Sequence, residues 1–158
     1  MTETATERYL AFELGDQAYA VEVSRVEVVL ESAPITRVPK APTHLRGVIN
    51  HRGSVIPVAD LRVRFGEERT YAGPGSSIIV LQVRFGQDDV TIGMLADAVR
   101  EVIDLDSSRI EHPPKVGSRI EDAIVKGIGE KAGEFIVVLD IDLAFSAELA
   151  AERGTEPK

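Results

Sequence analysis

Short apolar runs rich in Val and Ile, broken every few residues by Gly, Pro, Asp or Asn, recur along this chain and predict strands rather than helices. Ten are expected, at residues 9–14, 17–22, 35–38, 47–50, 55–58, 77–85, 90–95, 99–105, 124–128 and 134–140. Turn-forming groups separate several of them at hairpin distances: Gly15-Asp16, His51-Arg52-Gly53, Gly86-Gln87-Asp88-Asp89 and Glu130-Lys131-Ala132-Gly133. Many short strands with tight turns point to small barrels or a sandwich. Two segments read as helix. At residues 23–30, Val23, Val26 and Leu30 fall at helical spacing around polar Ser24, while the β-branched content keeps a strand as the rival reading. Residues 141–153 carry Leu143, Ala144, Ala147, Leu149, Ala150 and Ala151 and stop at Gly154, which predicts a terminal helix. Residues 1–7 and 154–158 are expected to be flexible tails.

The chain repeats itself. Residues 46–61 placed above residues 126–141, at a fixed offset of 80, match both glycines (Gly47 with Gly127, Gly53 with Gly133), Ile56 with Ile136, Val58 with Val138 and Asp60 with Asp140. Basic meets basic at Arg46 and Lys126, and further upstream Val26 and Val29 find counterparts in Val99 and Val102. Matching glycines at hairpin turns imply two related β-units of similar length. The difference between the copies is informative: Asn50-His51-Arg52 in the first is Glu130-Lys131-Ala132 in the second, so the first turn is the specialised one.

At 158 residues, 44% of them hydrophobic, the chain can bury a real core without metals or disulfides. It has no cysteine, which removes thiolate nucleophiles, iron–sulfur clusters and Cys-type zinc sites. Its longest apolar runs fall far short of the ~20 residues a membrane span needs, and the polar, acidic N-terminus is unlike a secretory signal, so a cytoplasmic location without membrane insertion is expected. The formal charge of -8 argues against nucleic acid as a partner. One stretch runs the other way. Arg37, Lys40, Arg46, Arg52, Arg62, Arg64 and Arg69 stand against Asp60, Glu67 and Glu68, so this stretch of an acidic chain is basic and suits an acidic protein partner.

The sequence carries no constellation for reaction chemistry. His44, His51 and His112 form no i, i+4 pair and sit beside no helical Glu, so no metal site is expected. Asp60, Asp97, Asp104, Asp140 and Asp142 stand where strands end, the positions of turn formers and helix caps. No Gly-x-Ser-x-Gly elbow occurs, and Gly127-Ile128-Gly129 lacks the third glycine and following helix of a phosphate cradle. His51 with Asp60 would make a hydrolase dyad only in close contact, yet they stand at opposite ends of one predicted strand unit, about 30 Å apart at ~3.3 Å per residue. No catalytic residue and no cofactor are assigned; the profile is that of a binding module.

The run Gly47-Val48-Ile49-Asn50-His51-Arg52-Gly53-Ser54-Val55-Ile56-Pro57-Val58-Ala59-Asp60-Leu61 and its continuation to Gly66 resemble the CheW family of bacterial chemosensory coupling proteins. The resemblance extends through Tyr9-Leu10-Ala11-Phe12-Glu13-Leu14-Gly15, Ala96-Asp97-Ala98-Val99 and Val138-Leu139-Asp140-Ile141-Asp142. It covers one domain at residues 8–145. It implies two SH3-like five-stranded β-barrel subdomains packed together, nominally 15–75 and 76–145 with strand 8–14 able to join the second, a short helix after the second strand and a C-terminal α-helix. It also implies a non-catalytic adaptor between the cytoplasmic tip of methyl-accepting chemoreceptors and the regulatory domain of a CheA-type histidine kinase. Such an adaptor is held at membrane receptor arrays through protein contacts alone. Receptor tips would dock as helices in an apolar groove, lined by Val26, Val28 and Val29 with Asn50, Arg52 and Gly53 from the specialised turn. The same resemblance accommodates an array serving pilus motility, development or gene regulation, or a detached regulatory domain of a kinase.

Two departures from the family pattern bear on that site. His51 stands where the family turn, Asn-Leu-Arg-Gly, has Leu, which replaces an apolar contact by a titratable one. Val28 stands where the family tends to carry a Glu expected to pair with the turn Arg, although Glu101 holds the aligned place in the second repeat. Two outcomes are open: the neighbouring Glu27 takes over as partner of Arg52, or Arg52 is left to meet an acid on the receptor or kinase.

Overall fold

The uninterrupted Val/Ile runs become strands buried on both faces, because each sheet wraps a core of its own and also packs against the other sheet. The structure, a computed structural model, describes residues 6–106, 110–111 and 124–145. In chain order its strands are β1 (Thr6–Leu14), β2 (Gln17–Glu22), β3 (Val26–Glu31), β4 (Leu45–His51), β5 (Ser54–Ala59), β6 (Ser77–Phe85), β7 (Asp88–Ala96), β8 (Ala98–Asp106), β9 (Val125–Lys131) and β10 (Glu134–Leu139), with a short helix α1 (Leu61–Arg64) after β5. They form two five-stranded sheets, β3-β6-β7-β5-β4 and β8-β1-β2-β10-β9. The fold is mainly β, with two SH3-like subdomains.

Period-2 alternation assigns the faces. On β6, Ile78 and Val80 point into the core of the first sheet with Ile49, Ile56 and Val58, whereas Ile79, Leu81 and Val83 point at the second sheet. On β1, Tyr9 and Ala11 fill the second sheet's core with Ile103, Ile136 and Val138, whereas Leu10, Phe12 and Leu14 join the shared layer between the sheets. That shared layer holds most of the large buried side chains, including Phe12, Leu61, Met94 and Phe145, all with essentially no exposure. At about 25 cal/mol per Å2 of apolar surface removed from water, it holds the two subdomains as one unit.

The sequence repeat is a structural repeat. In both sheets a hairpin (β4–β5, β9–β10) lies parallel to the second strand of another hairpin: Val58 pairs with Gly93 as Val138 pairs with Ala20. Gly47 and Gly127 allow the same crossing. A Cβ on Gly47 would stand 2.2 Å from the Thr36 carbonyl oxygen, and one on Gly127 would stand 2.3 Å from the Ile110 side chain. Thr36 bridges Val48 there, and Glu111 bridges Ile128.

The sheets divide the chain differently from a cut at 75/76. The hairpin β1–β2 belongs with β8, β9 and β10, while β6 and β7 belong with β3, β4 and β5. The cause is that the β1–β2 hairpin completes the sheet begun by β8, so the unit in space is shifted from the unit in sequence.

Two expected elements are corrected. Residues 35–38 make the isolated Thr36 bridge and no longer ladder, because Pro34 and Pro39, which have no N–H, bound the segment at both ends. Residues 23–30 form no α-helix. A 3-10 turn, Val23–Arg25, leads directly into β3. The misleading period has a physical source in a β-bulge: Val26 faces Leu81 and Val29 faces Ile79, so three residues on β3 span two on β6 and Glu27 is the inserted one. Val26 and Val29 consequently share a face, as they would on a helix. Equivalent bulges recur in β8, in β4 at Arg46 and in β9 at Lys126. Arg46 and Lys126 therefore align because both project from bulges.

Residues 141–145 are helical and start at Asp140, whose carboxylate accepts from the Leu143 amide; the rest of the expected terminal helix lies outside the described residues, as do His112, residues 1–5 and residues 154–158. A pair of ion bridges spans the subdomains with the charges exchanged. Arg25, before β3, reaches Asp142 at 2.5 Å, and Arg62 on α1 reaches Asp97, before β8, at 3.4 Å. Each acid also accepts from a main-chain amide, Arg84 N at 2.7 Å and Gly15 N at 2.6 Å respectively.

Candidate partner-binding site

The β4–β5 turn is a two-residue loop with Arg52 at φ 55 and Gly53 at φ 83, the pattern of a type I′ hairpin that matches strand twist. Glycine suits the second position; arginine at the first stands in the left-handed region at a cost of about 1 kcal/mol. The Asn50 side-chain oxygen accepts from the Gly53 amide at 3.0 Å and fastens the turn. The β9–β10 turn has the same backbone, with Ala132 at φ 54 and Gly133 at φ 81. The two turns therefore differ in their side chains and not in their backbone.

Beside this turn lies a groove of about 490 Å3 that brings together Glu27, His51 and Arg52, and adds Val55, Asp89 and Thr91. Arg52 and Glu27 are exposed and His51 is half-buried. Val55 stands 71% exposed, a large apolar side chain at the mouth of a polar groove. No ion pair joins Glu27 to Arg52 among the described residues. The Glu27 carboxylate instead accepts from Gln82 Nε2, which also donates to Thr91 Oγ1 at 2.9 Å, so a polar line crosses β3, β6 and β7. The Arg52 guanidinium has no hydrogen-bond or ion-pair partner among the described residues.

The three valines lie apart from this groove and on β3, not on a helix. Val28 packs on the first sheet's core, and Val26 and Val29 pack on the layer between the sheets, each half-buried. Gln82, Asp89 and Thr91 escaped sequence reasoning because the polar face of a strand resembles any solvated face until the neighbouring strand is known. The exposed Val55, at the polar start of a strand, was the available signal.

His51 and Asp60 lie at opposite ends of the β4–β5 hairpin, and Asp60 is fully occupied. Its buried carboxylate accepts from Arg46 Nη1 at 2.9 Å, Thr70 N at 2.9 Å, Thr70 Oγ1 at 2.8 Å and, as cap of α1, Arg62 N at 3.2 Å. A buried charge is tolerated when its lone pairs are met in this way. Among the described residues no group of three or more His, Asp or Glu is placed to hold a metal ion, and no helix is long and apolar enough to cross a membrane.

Two SH3-like subdomains fused through a common apolar layer, with an exposed cation on a fastened turn beside an open groove, define a scaffold of the double-barrel adaptor class. The chain belongs to the CheW family: residues 8–149 match the CheW-like domain. It is 31% identical over 139 residues to the chemotaxis protein CheW of Rhizobium meliloti, covering 88% of this chain and 87% of that one. With the chemotaxis protein CheW of Thermotoga maritima it shares 34% identity over 140 residues, covering 84% and 83% respectively. The crystal structure of the scaffolding protein TtCheW from Thermoanaerobacter tengcongensis superimposes with a TM-score of 0.78 at 32% identity, over 89% of this chain and 93% of that one. The role these relatives support is that of a chemotaxis adaptor, and none of them carries an enzyme's name.

Proposed function

We propose that this protein couples the cytoplasmic tip of methyl-accepting chemoreceptors to the regulatory domain of a CheA-type histidine kinase, as a non-catalytic adaptor located at receptor arrays through protein contacts. The observation that carries the proposal is the Arg52 side chain: it stands on a locally costly backbone, exposed at the groove mouth, with Glu27 engaged by Gln82 rather than by it. A cation retained against a local cost and left without a partner among the described residues is placed for an external acid. Asn50 and Gly53 hold the turn, His51 and Val55 supply the contact surface beside it, and Val26, Val28 and Val29 act indirectly by seating β3 and its bulge. An amphipathic helix with an acid opposite Arg52 and an apolar residue on Val55 fits this surface.

The test is a pull-down from native membranes and cytoplasm with tagged wild type and a folded Arg52→Ala variant. Wild type should retain both kinase and receptors, and the variant should lose at least one of them, which identifies the partner the turn serves. Recovery of neither by wild type, from cells that make both, would remove the coupling role.

A further inference from the structure

Of the basic stretch noted in the sequence, the turn site uses Arg52 alone. At the other end of the β4–β5 hairpin, a second groove of about 560 Å3 lies between the 37–43 segment, the start of β4, α1 and the loop that follows it. Among the described residues four cations line it, Arg37, Lys40, Arg46 and Arg69, and no acid does, in a chain that holds 26 acidic residues against 18 Lys and Arg. Arg46 is spent on Asp60 and on the Thr70 carbonyl, and it braces the floor. Arg37, Lys40 and Arg69 are exposed and have no ion-pair partner among the described residues.

The frame is stiff. Pro39 and Pro42 restrict the backbone, the Ala41 amide closes a turn on the Val38 carbonyl, and a second turn runs from the Leu45 amide to the Pro42 carbonyl. Lys40 takes φ 64 at the turn position that ordinarily favours glycine, so its cation is presented from a fixed point. Val38, Leu45 and Val63 supply apolar lining between the cations.

We infer that this groove docks an acidic peptide segment of a partner protein, with carboxylates on Arg37, Lys40 and Arg69 and an apolar side chain against Val38 and Leu45. A single inorganic oxyanion would leave most of about 560 Å3 empty, and cations distributed along an open groove suit a chain of carboxylates better than a point charge. Nucleic acid fits poorly, since the net charge of -8 repels a polyphosphate and the described groove lining includes no aromatic residue for base stacking. Charge complementarity with preformed walls lowers the ordering cost of such a peptide.

The experiment titrates the full chain into a fluorescein-labelled seven-residue peptide of alternating Glu and Leu and follows anisotropy at low and moderate salt. Binding should weaken as salt rises and fall by about tenfold or more in the exposed double variant Arg37→Glu/Arg69→Glu, whose thermal unfolding should match wild type. Arg52→Ala should bind the peptide as wild type does, so failure of the turn site and failure of this groove are read separately. Absence of peptide binding, binding indifferent to the double variant, or equal competition by inorganic phosphate or a DNA oligonucleotide would each overturn the inference.

Discussion

Arg52 and Ala132 occupy the same left-handed turn position in the two subdomains, so the pair separates what a residue does for the fold from what it does for a partner. Neither residue suits φ near +55, and asparagine does. Arg52→Asn and Ala132→Asn should therefore each raise the unfolding free energy by about 0.5–1 kcal/mol, measured in urea. Only Arg52→Asn should reduce recovery of partners, which would show that the arginine is kept against stability. The matched turns were legible in the sequence because the two repeats supplied a reference for each other. The Glu27–Gln82–Thr91 line was not, since these residues lie on three strands that only pairing makes adjacent.

Among the elements, β1, β2 and β9 are tied at one rim by ionisable groups. Lys126 on its bulge reaches Glu22 at 2.7 Å, and this bond holds the ammonium pKa above its ordinary value; burial pushes the Tyr9 phenol up as well. Both groups keep their protons longer in the folded state than in the unfolded one. Their contribution is complete below about pH 10, and stability then falls as pH rises, because the unfolded chain loses those protons first. Urea unfolding from pH 7 to 11 should show a decline beginning near pH 10, and Tyr9→Phe should make it shallower. A flat profile in wild type would contradict the assignment. Strand positions were readable here from Val/Ile runs and glycine turns, whereas β3 was obscured because its bulge adds one residue and imitates a helical period.

At the scale of the whole molecule, the subdomains meet through an apolar layer and are registered at its edges by Arg25–Asp142 and Arg62–Asp97, equivalent bridges of opposite polarity. Exchanging the first pair to match the polarity of the second tests that registry. Arg25→Asp and Asp142→Arg should each destabilise by about 1–2 kcal/mol, and the double exchange should recover about 1 kcal/mol of the summed loss, read by urea unfolding. Purely additive losses would mean that the bridge contributes no registry. The sequence determined by itself the β class, the two-fold repeat and the strand-end placing of Asp60 and Asp140, because each rests on local period, turn chemistry or internal comparison. Tertiary structure alone decided that β1–β2 completes the sheet begun by β8, that Glu27 engages Gln82 and not Arg52, and that four separated cations line one groove. The physical reason is the same in each case: strand partners and side-chain neighbours distant along the chain are chosen by burial of the shared apolar layer, a property of the folded whole that no local pattern encodes.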